Sequence, residues 1–312
     1  MTLLVVGNAT VDVSFELESL PRPGETLLAR GRMVDAGGKG LNQAVVARRA
    51  GAEVIYVAAI GDDPEADVIH ARLAAEGLPG ADLLCRSGPT DQSIIYLDRH
   101  GENMIVSTAD RARSLTGAQV SERFERLGRG DLLLLQGNLA RATTEDCLAR
   151  GRASGMFTLL NPAPIDYPYD GLWPLVDLAV VNDVEAATLG GGDGAPAESA
   201  RRLLFAGAGA VVATLGPKGA LIVEGARTTS VPAATVAVVD TAGAGDVFCG
   251  VLAAALSEGR PLTDAVAWAV AAASLSVTRR GTSSAFPTPA ELVAIGAQIQ
   301  PREDWGGDRA RP

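Results

Sequence analysis

The stretch that decides the fold is DTAGAGDVFCGVLAAAL, residues 240–256. The strand-like residues AVVD (237–240) lead into a turn with glycines at 243 and 245, and the apolar residues that follow predict a buried helix. Glycine permits backbone conformations closed to other residues, so successive N–H groups of this turn can point into one small space. The positive end of the helix dipole lies there too, which predicts an anion hole without any lysine.

Asp246 lies in the first turn of this predicted helix, beside the anion hole. Asp is common near helix starts as a cap, and it can also serve as a general base. The two glycines just ahead of it favour the base, because an ordinary cap needs no space for a phosphate. This segment alone leaves both interpretations open.

A second glycine-opened helix is predicted from DAGGKGLNQAVVARRAGA, residues 35–52. Lys39 and Asn42 are three residues apart and share one side of that helix. Both can face a cleft at the helix start and hydrogen-bond to hydroxyl groups there. The alternative is a solvated first turn without a ligand.

Outward from these two segments, short apolar runs alternate with helical ones. Apolar runs without polar alternation are typical of strands buried on both faces, so the pattern predicts an α/β fold with a parallel sheet between helices. The helix at 263–279 is apolar nearly all round and should be buried. The predicted strands are 2–6, 54–59, 131–136, 156–160, 177–181 and 210–215, and the predicted helices are 39–50, 64–76, 142–153, 183–190, 196–207, 246–258, 263–279 and 288–297.

Two regions break this alternation, about residues 10–36 and 91–107. The second has a hairpin pattern with its turn near Gly101. Strands without covering helices suit a small β-lid over a site, or alternatively an appendage used for dimer contact. We expect one domain over 1–300 that includes this lid, and a loosely ordered polar tail over 301–312.

Composition excludes several other classes of protein. Lys and Arg number 27 against 37 Asp and Glu, and this net charge of −10 argues against nucleic acid as a partner. No apolar run reaches the roughly 18 residues that a membrane span needs. The cysteines (85, 147 and 249) are far apart, which favours a reduced, cytoplasmic setting, and the isolated His70 and His100 argue against a zinc site or a Ser-His-Asp hydrolase. The chain also lacks GxxxxGK[ST] and GxGxxG phosphate-binding motifs.

Together, the two glycine-opened segments resemble the paired signatures of the PfkB/ribokinase family of sugar kinases, over about residues 3–290. Six further stretches fall in the family's order: LPRPGET (20–26), AAIGDD (58–63), NPAP (161–164), VNDVEA (181–186), TLGPKGA (214–220) and VTRRGT (277–282). The resemblance implies a ribokinase-like fold, with a central, mainly parallel sheet, flanking helices and a small β-sheet lid. It also implies a homodimer formed through that lid.

The resemblance further implies transfer of the γ-phosphoryl group of ATP to a primary hydroxyl of a small sugar, with Mg²⁺ and K⁺ as cofactors. A pentose such as ribose is the first choice of acceptor, and a nucleoside or an acidic sugar is the alternative. A non-catalytic sugar or nucleotide sensor on the same fold is the alternative from a different class. The intact catalytic motifs argue against it.

Matching positions give the implied roles. Asp246 is the catalytic base, with Gly243, Ala244 and Gly245 as its anion hole. The implied sugar-binding residues, besides Asp246, are Thr10, Asp12, Gly38, Lys39, Asn42 and Asn138. The implied ATP-binding residues are Asn182, Thr214, Gly216, Gly219 and Gly245. Glu185 is implied to bind Mg²⁺ through water, and a monovalent cation is implied at Asp240, Ala242, Ser276 and Gly281.

Three departures from the family pattern stand out. Asn138 replaces a glutamate near the sugar, and it lacks the charge and the full acceptor set of a carboxylate. Arg111 and Arg113 are expected close to the cleft entrance, either as surface charges or as selectors of an acidic or phosphorylated sugar. Ala285 stands where a hydroxyl could complete the cation shell, which weakens the expectation of potassium.

Overall fold

The computed structural model describes residues 1–78, 82–100, 102–192 and 194–299. Its strands are β1 (Thr2–Val6), β2 (Thr10–Glu16), β3 (Gly31–Gly37), β4 (Glu53–Ile60), β5 (Leu83–Cys85), β6 (Gln92–Leu97), β7 (Asn103–Ser107), β8 (Leu132–Gln136), β9 (Phe157–Asn161), β10 (Leu178–Asn182), β11 (Ala210–Thr214), β12 (Ala220–Glu224) and β13 (Arg227–Val231). Its α-helices are α1 (Lys39–Arg49), α2 (Pro64–Ala75), α3 (Asp110–Ser114), α4 (Gly117–Phe124), α5 (Arg141–Ala153), α6 (Asp183–Gly190), α7 (Pro196–Phe205), α8 (Ala244–Ser257), α9 (Leu262–Ser276) and α10 (Pro289–Gln298).

The large sheet has nine strands in the order β13-β12-β11-β10-β9-β8-β1-β4-β5. All neighbours from β11 to β5 pair in parallel, and only the β11–β12 and β12–β13 pairs are antiparallel. Leu3 to Val6 in β1 and Leu132 to Leu135 in β8 are completely buried, as strands covered on both faces should be. The prediction of a mainly parallel sheet between helices is confirmed.

Two apolar clusters lie on opposite faces of the sheet. One contains residues of α1, α2, α8, α9 and α10, and the other contains residues of α4, α5, α6 and α7. Helix α8 is the most enclosed, since every residue from Asp246 to Ser257 is buried. Helix α9 is less enclosed than its composition predicts, because positions such as Ala267 and Leu275 are only half-buried. No helix within the described ranges is both long and apolar enough to cross a bilayer.

The second sheet is the predicted small lid, with strand order β3-β2-β6-β7. Val11, Val13 and Ala36 belong to the same apolar cluster as α1 and α8, so one face of the lid packs against the rest of the molecule. Asp12 and Asp35 lie opposite each other on the other face. The turn residue Gly101 and the tail 301–312 lie outside the described residues, and the single domain over 1–300 stays a prediction.

Candidate active site

The carboxyl edge of the parallel sheet carries a row of polar side chains. Strands β8, β9, β10 and β11 are almost entirely apolar, and they end in Gln136, Asn161, Asn182 and Thr214, respectively. The register pairs Gln136 with Asn161 and Asn182 with Thr214. Ligands of open α/β sheets bind outside this edge, so the row marks the cleft.

The start of α8 leaves backbone donors free. Gly243 has a φ of +75°, and a Cβ atom there would lie 2.8 Å from Thr282 Cγ2, so only glycine fits. No side chain caps the helix, and within the described part of the chain the amides of Gly245 and Asp246 have no acceptor. The Cβ position of Gly245 opens into empty space. The turn can therefore offer two N–H groups and the positive helix end to an anion.

Asp246 faces helix α1 and does not cap its own helix. It is 6% exposed, and its Oδ2 accepts a hydrogen bond from Asn42 Nδ2 at 3.0 Å. Its Oδ1 accepts one from Gln43 Nε2, also at 3.0 Å. A carboxylate held at both oxygens beside open amides is well placed to act as a base, and these contacts argue against the capping interpretation.

Three buried amide side chains that the sequence reasoning missed support this carboxylate. Gln43, Gln136 and Asn161 are 0%, 0% and 7% exposed. Gln43 Nε2 also donates to Asn161 Oδ1 at 3.2 Å, and Gln43 Oε1 accepts from Gln136 Nε2 at 2.9 Å. For Gln136 and Asn161 the available signal was a single polar residue at the end of an apolar strand, whereas Gln43 in α1 gave no such signal.

Lys39 and Glu185 bring opposite charges to the same cleft. Burial lowers the pKa of the Lys39 ammonium, but the carboxylates of Asp246 and Glu185 outweigh it, and the pKa lies above its ordinary value. Burial raises the pKa of Glu185, although the Asn182 amide and Lys39 pull it down. Asn182 and Glu185 also cap α6 reciprocally, with hydrogen bonds of 2.7 and 2.9 Å. Only Oε2 of Glu185 is used in this cap, so Oε1 remains available to a ligand.

Asn8, another residue that the sequence reasoning missed, fixes the start of α1. Gly38 precedes the helix with a φ of +95° and makes no side-chain cap. Asn8 instead accepts from the Gly40 amide through Oδ1 and from the Leu41 amide through its backbone oxygen, both at 3.1 Å. Tyr56 donates to that backbone oxygen at 2.8 Å. The side chains of the first turn of α1 are therefore held at the cleft.

On the lid side, Asp12 accepts a hydrogen bond from Thr10 Oγ1 at 2.7 Å. Its carboxylate lies over Gly37, where a Cβ atom would be 2.0 Å from Oδ2. Burial raises the pKa of Asp12, only partly offset by hydrogen bonds from Thr10 and Ser93. A cavity of about 330 Å³ opens beside it, lined by residues that include Asp12, Ser14, Glu16, Asp35, Ile95, Leu97, Ile105, Asp240, Ala242 and Gly281.

A second cavity, of about 500 Å³, lies on the other side of the α8 turn. Among the described residues, no charged side chain lines it; helix α8 contributes Phe248 to its wall, helix α9 contributes Val270, and Val277 follows directly after α9. Asp240 and Ala242 line the first cavity, whereas Thr241, Ala244 and Gly245 line the second, so the turn separates the two. The predicted nucleotide residues Thr214, Gly216 and Gly219 line the second cavity.

Three of the four residues predicted to bind a monovalent cation come together. Asp240 accepts from the amides of Ala242 and Gly281, both at 2.9 Å. The Ser276 hydroxyl instead donates to Ala273 O in its own helix. Ala285 is buried and has no side-chain oxygen to add.

The residues that depart from the family pattern lie as follows. Asn138 is two residues beyond β8, and its buried Oδ1 has no partner within the described part of the chain. Arg111 donates to Ser87 O, and Arg113 forms an exposed ion pair with Asp166. Arg113 is thus paired at the surface, whereas Arg111 is half-buried, and the role of both stays a prediction.

Comparisons with known proteins agree with this geometry. The profile of the pfkB family carbohydrate kinases matches residues 2–289. The chain is 31% identical over 297 residues to a ribokinase of Haemophilus influenzae, with 94% of this chain and 97% of that relative covered. It is 30% identical over 299 residues to a deoxyribokinase of Salmonella typhi, with 92% and 96% covered.

A solved structure extends the similarity to the fold. The ribokinase of Arabidopsis thaliana complexed with ribose and ATP superposes with a TM-score of 0.85 at 25% identity, covering 94% of this chain and 98% of that one. The family match, the sequence identities and the shared fold thus all indicate a carbohydrate kinase of the pfkB family.

Proposed function

Because this chain belongs to the pfkB family of carbohydrate kinases, we propose that it transfers the γ-phosphoryl group of ATP to a primary hydroxyl of a pentose, ribose first. As a member of that family it is a phosphotransferase with an alcohol group as acceptor. One observation carries the assignment of the chemistry. The buried carboxylate of Asp246 lies beside the open amides of a turn that separates two cavities.

In the proposed reaction the sugar occupies the cavity beside Asp12, called the lid-side cavity from here on. ATP occupies the second, apolar cavity. Asp246 takes the proton of the acceptor hydroxyl while the oxygen of that hydroxyl bonds to the γ-phosphorus. The bond from that phosphorus to the β–γ bridging oxygen breaks, and ADP leaves with the electron pair. The amides of Gly245 and Asp246 stabilise the charge on the transferred group, which is where such transition states need support.

The cation sites are proposed on the donors that the chain offers. Glu185, with its free Oε1, and Asn182 would hold the water shell of Mg²⁺, which neutralises phosphate charge when it is bound. Asp240 and the backbone around Ala242 and Gly281 would hold K⁺. With Ser276 turned away and alanine at 285, this shell has fewer oxygen donors than the family pattern implies.

The charge of the lid-side cavity bears on the acceptor. Carboxylates of Asp12, Glu16, Asp35 and Asp240 line it, against the one cation Arg32 among the described lining residues, so an anionic sugar would meet net repulsion there. Ribose and deoxyribose, the substrates named by the two relatives, are neutral. The lining also includes apolar side chains such as Ile95, Leu97 and Ile105, which could pack against a base, so a nucleoside is the second candidate.

A screen for ADP release tests the proposal. Pentoses, hexoses, acidic sugars and nucleosides would be offered with ATP and Mg²⁺, with and without K⁺. We expect ribose or deoxyribose to give the highest kcat/KM and acidic sugars the lowest. ADP release with none of these acceptors, although ATP binds, would favour the sensor over the kinase.

Asn138→Glu tests whether position 138 determines the specificity for the acceptor sugar. Glutamate restores the charge that the family pattern has at this position. We expect the ranking of sugars to change while the KM for ATP stays within about twofold. An unchanged ranking would mean that position 138 does not contact the acceptor.

The lid supports the proposed homodimer. All five residues of its edge strand β7 are exposed, including the apolar Met104, Ile105 and Val106. An exposed apolar edge strand is typical of an interaction surface, and the lid of a second copy of this chain could bury it. Ile105→Lys should give a monomer in sedimentation experiments. The cytoplasmic location expected from the cysteines stays a prediction.

A further inference from the structure

Gln43 contacts the carboxylate that performs the chemistry, yet none of the roles above requires it. It is completely buried in the first turns of α1, and its Nε2 lies 3.0 Å from Asp246 Oδ1. The side chain therefore touches the proposed base directly.

The orientation of this amide is fixed by its neighbours. Gln136 Nε2 donates to Gln43 Oε1, and Asn161 Oδ1 accepts from Gln43 Nε2. Asn161 Nδ2 in turn donates to Val180 O at 3.0 Å, which keeps its Oδ1 turned toward Gln43. A flipped Gln43 would set its oxygen against two acceptor oxygens and leave buried donors unpaired, which is costly.

The network therefore connects the base to the rigid sheet. Gln136 ends β8, Asn161 ends β9, and Val180 lies inside β10. Neighbouring glycine makes room for it, since a Cβ atom at Gly7 would lie 2.0 Å from Gln136 Oε1. Side chains locked in this way hold a functional group to the precision that catalysis needs.

We propose that Gln43 is a positioning residue for phosphoryl transfer. Its Nε2–H group fixes Oδ1 of Asp246, so that Oδ2, on the side of Asn42, receives the proton of the acceptor hydroxyl. This inference rests on the proposed function, because it requires Asp246 to be the base.

Gln43→Met tests the proposal, since it removes the donor with little change in volume. We expect kcat to fall by about 10- to 100-fold, the loss typical of a hydrogen bond to a charged group. The KM for ATP should stay within about twofold, because the nucleotide cavity is not touched. Thermal unfolding would establish that the variant is folded at the assay temperature.

Thr144→Val is the matched control. It also removes a buried side-chain hydrogen bond, to Tyr167, but on the opposite face of the sheet. A purely structural role for Gln43 predicts the same behaviour in both variants, a lower unfolding midpoint with unchanged kcat per folded molecule. That result would overturn the proposal, as would a loss confined to KM.

If Gln43→Met does not fold, Gln43→Asn provides the same test, since it keeps an amide that is one methylene too short to reach Asp246. Asp246→Asn distinguishes failure of the proposed base from failure of the proposed positioning role of Gln43. Turnover that survives Asp246→Asn would refute the base itself. An inactive Asp246→Asn beside a fully active Gln43 variant would refute only the positioning role.

Discussion

Helices α1 and α8 begin in the same way but present different groups to the cleft. Each starts after a glycine with a positive φ, +95° at Gly38 and +75° at Gly243, and neither glycine can cap its helix with a side chain. At α1, however, Asn8 accepts hydrogen bonds from the amides of Gly40 and Leu41. The backbone of α1 is thus satisfied inside the protein, and only its side chains remain for a ligand.

At α8 the arrangement is reversed. The amides of Gly245 and Asp246 find no acceptor among the described residues, while the Asp246 side chain is fully engaged by α1. A glycine-opened helix is therefore not by itself an anion site. What decides is whether a neighbouring residue such as Asn8 already occupies the donors. The comparison supports the proposal that α1 recognises the acceptor through its side chains and that α8 stabilises the transferred group through its backbone.

The largest effect is expected from Asp246→Asn. Loss of a general base typically lowers the rate by about 10²- to 10⁴-fold, and asparagine cannot take the proton. ATP should still bind, because the free amides and the apolar cavity are unchanged. Single-turnover kinetics would measure the rate of phosphoryl transfer, and a titration with ATP would measure ATP binding. Retained phosphorylation would contradict the role of α8 as the catalytic helix.

Gly243→Ala should break the backbone half of the comparison. Its Cβ atom would meet Thr282 and Phe286 at 2.8 and 2.9 Å, in a φ region that costs a non-glycine residue about 1–3 kcal/mol. Displaced amides should lower kcat by about 10²-fold, the loss seen when such a donor is removed. Urea unfolding and steady-state kinetics would report both effects.

Gly245→Ala is the control for Gly243→Ala. Its Cβ atom would point into empty space, so the free energy of unfolding should be unchanged and the KM for ATP should rise. Equal destabilisation by the two alanines would show that the strained turn is not what holds the amides in place.

The sequence predicted the frame of the molecule better than its active site. The buried strands and the long helices lie within three residues of their predicted bounds. The β12–β13 hairpin was missed because most of the edge strand β13 faces solvent and lacks an apolar pattern. The short helices α3 and α4 span only 5 and 8 residues and give little periodicity.

Within the site, motifs led to predicted residues that lie together in one glycine turn or at one helix start. They did not identify Gln43, Gln136 or Asn161, whose contacts depend on the register between separate strands and a helix. Asn8 was missed for a related reason, since it caps a helix 32 residues further along the chain. Gln136 and Asn161 showed only as polar residues at the ends of apolar strands, and Gln43 and Asn8 gave no local signal of their partners.

Asn8→Ala should break the other half of the comparison, with a smaller effect. Without its acceptor the Gly40 amide is left unpaired, and loss of such a cap typically reduces the free energy of unfolding by about 1 kcal/mol. The α1 side chains should loosen, which raises the KM for the sugar and leaves ATP affinity unchanged. A weakened affinity for ATP instead would mean that the two helices do not divide their roles in this way.

The smallest effect concerns Asp12, whose carboxylate lies over Gly37 just before α1. Burial holds the pKa of Asp12 above its ordinary value, so the folded state disfavours the ionised form. The stability contributed by this group is therefore greatest below the ordinary pKa and falls as the pH rises through the raised one. Asp12→Asn should accordingly raise the Tm at pH 7, and the gain should vanish as the pH is lowered toward about 4. A Tm of Asp12→Asn below that of the wild type at both pH values would contradict this expectation. It would mean that the hydrogen bonds from Thr10 and Ser93 to the carboxylate outweigh the cost of its burial. The Asp12 carboxylate would then anchor the lid side of α1 together with Asn8.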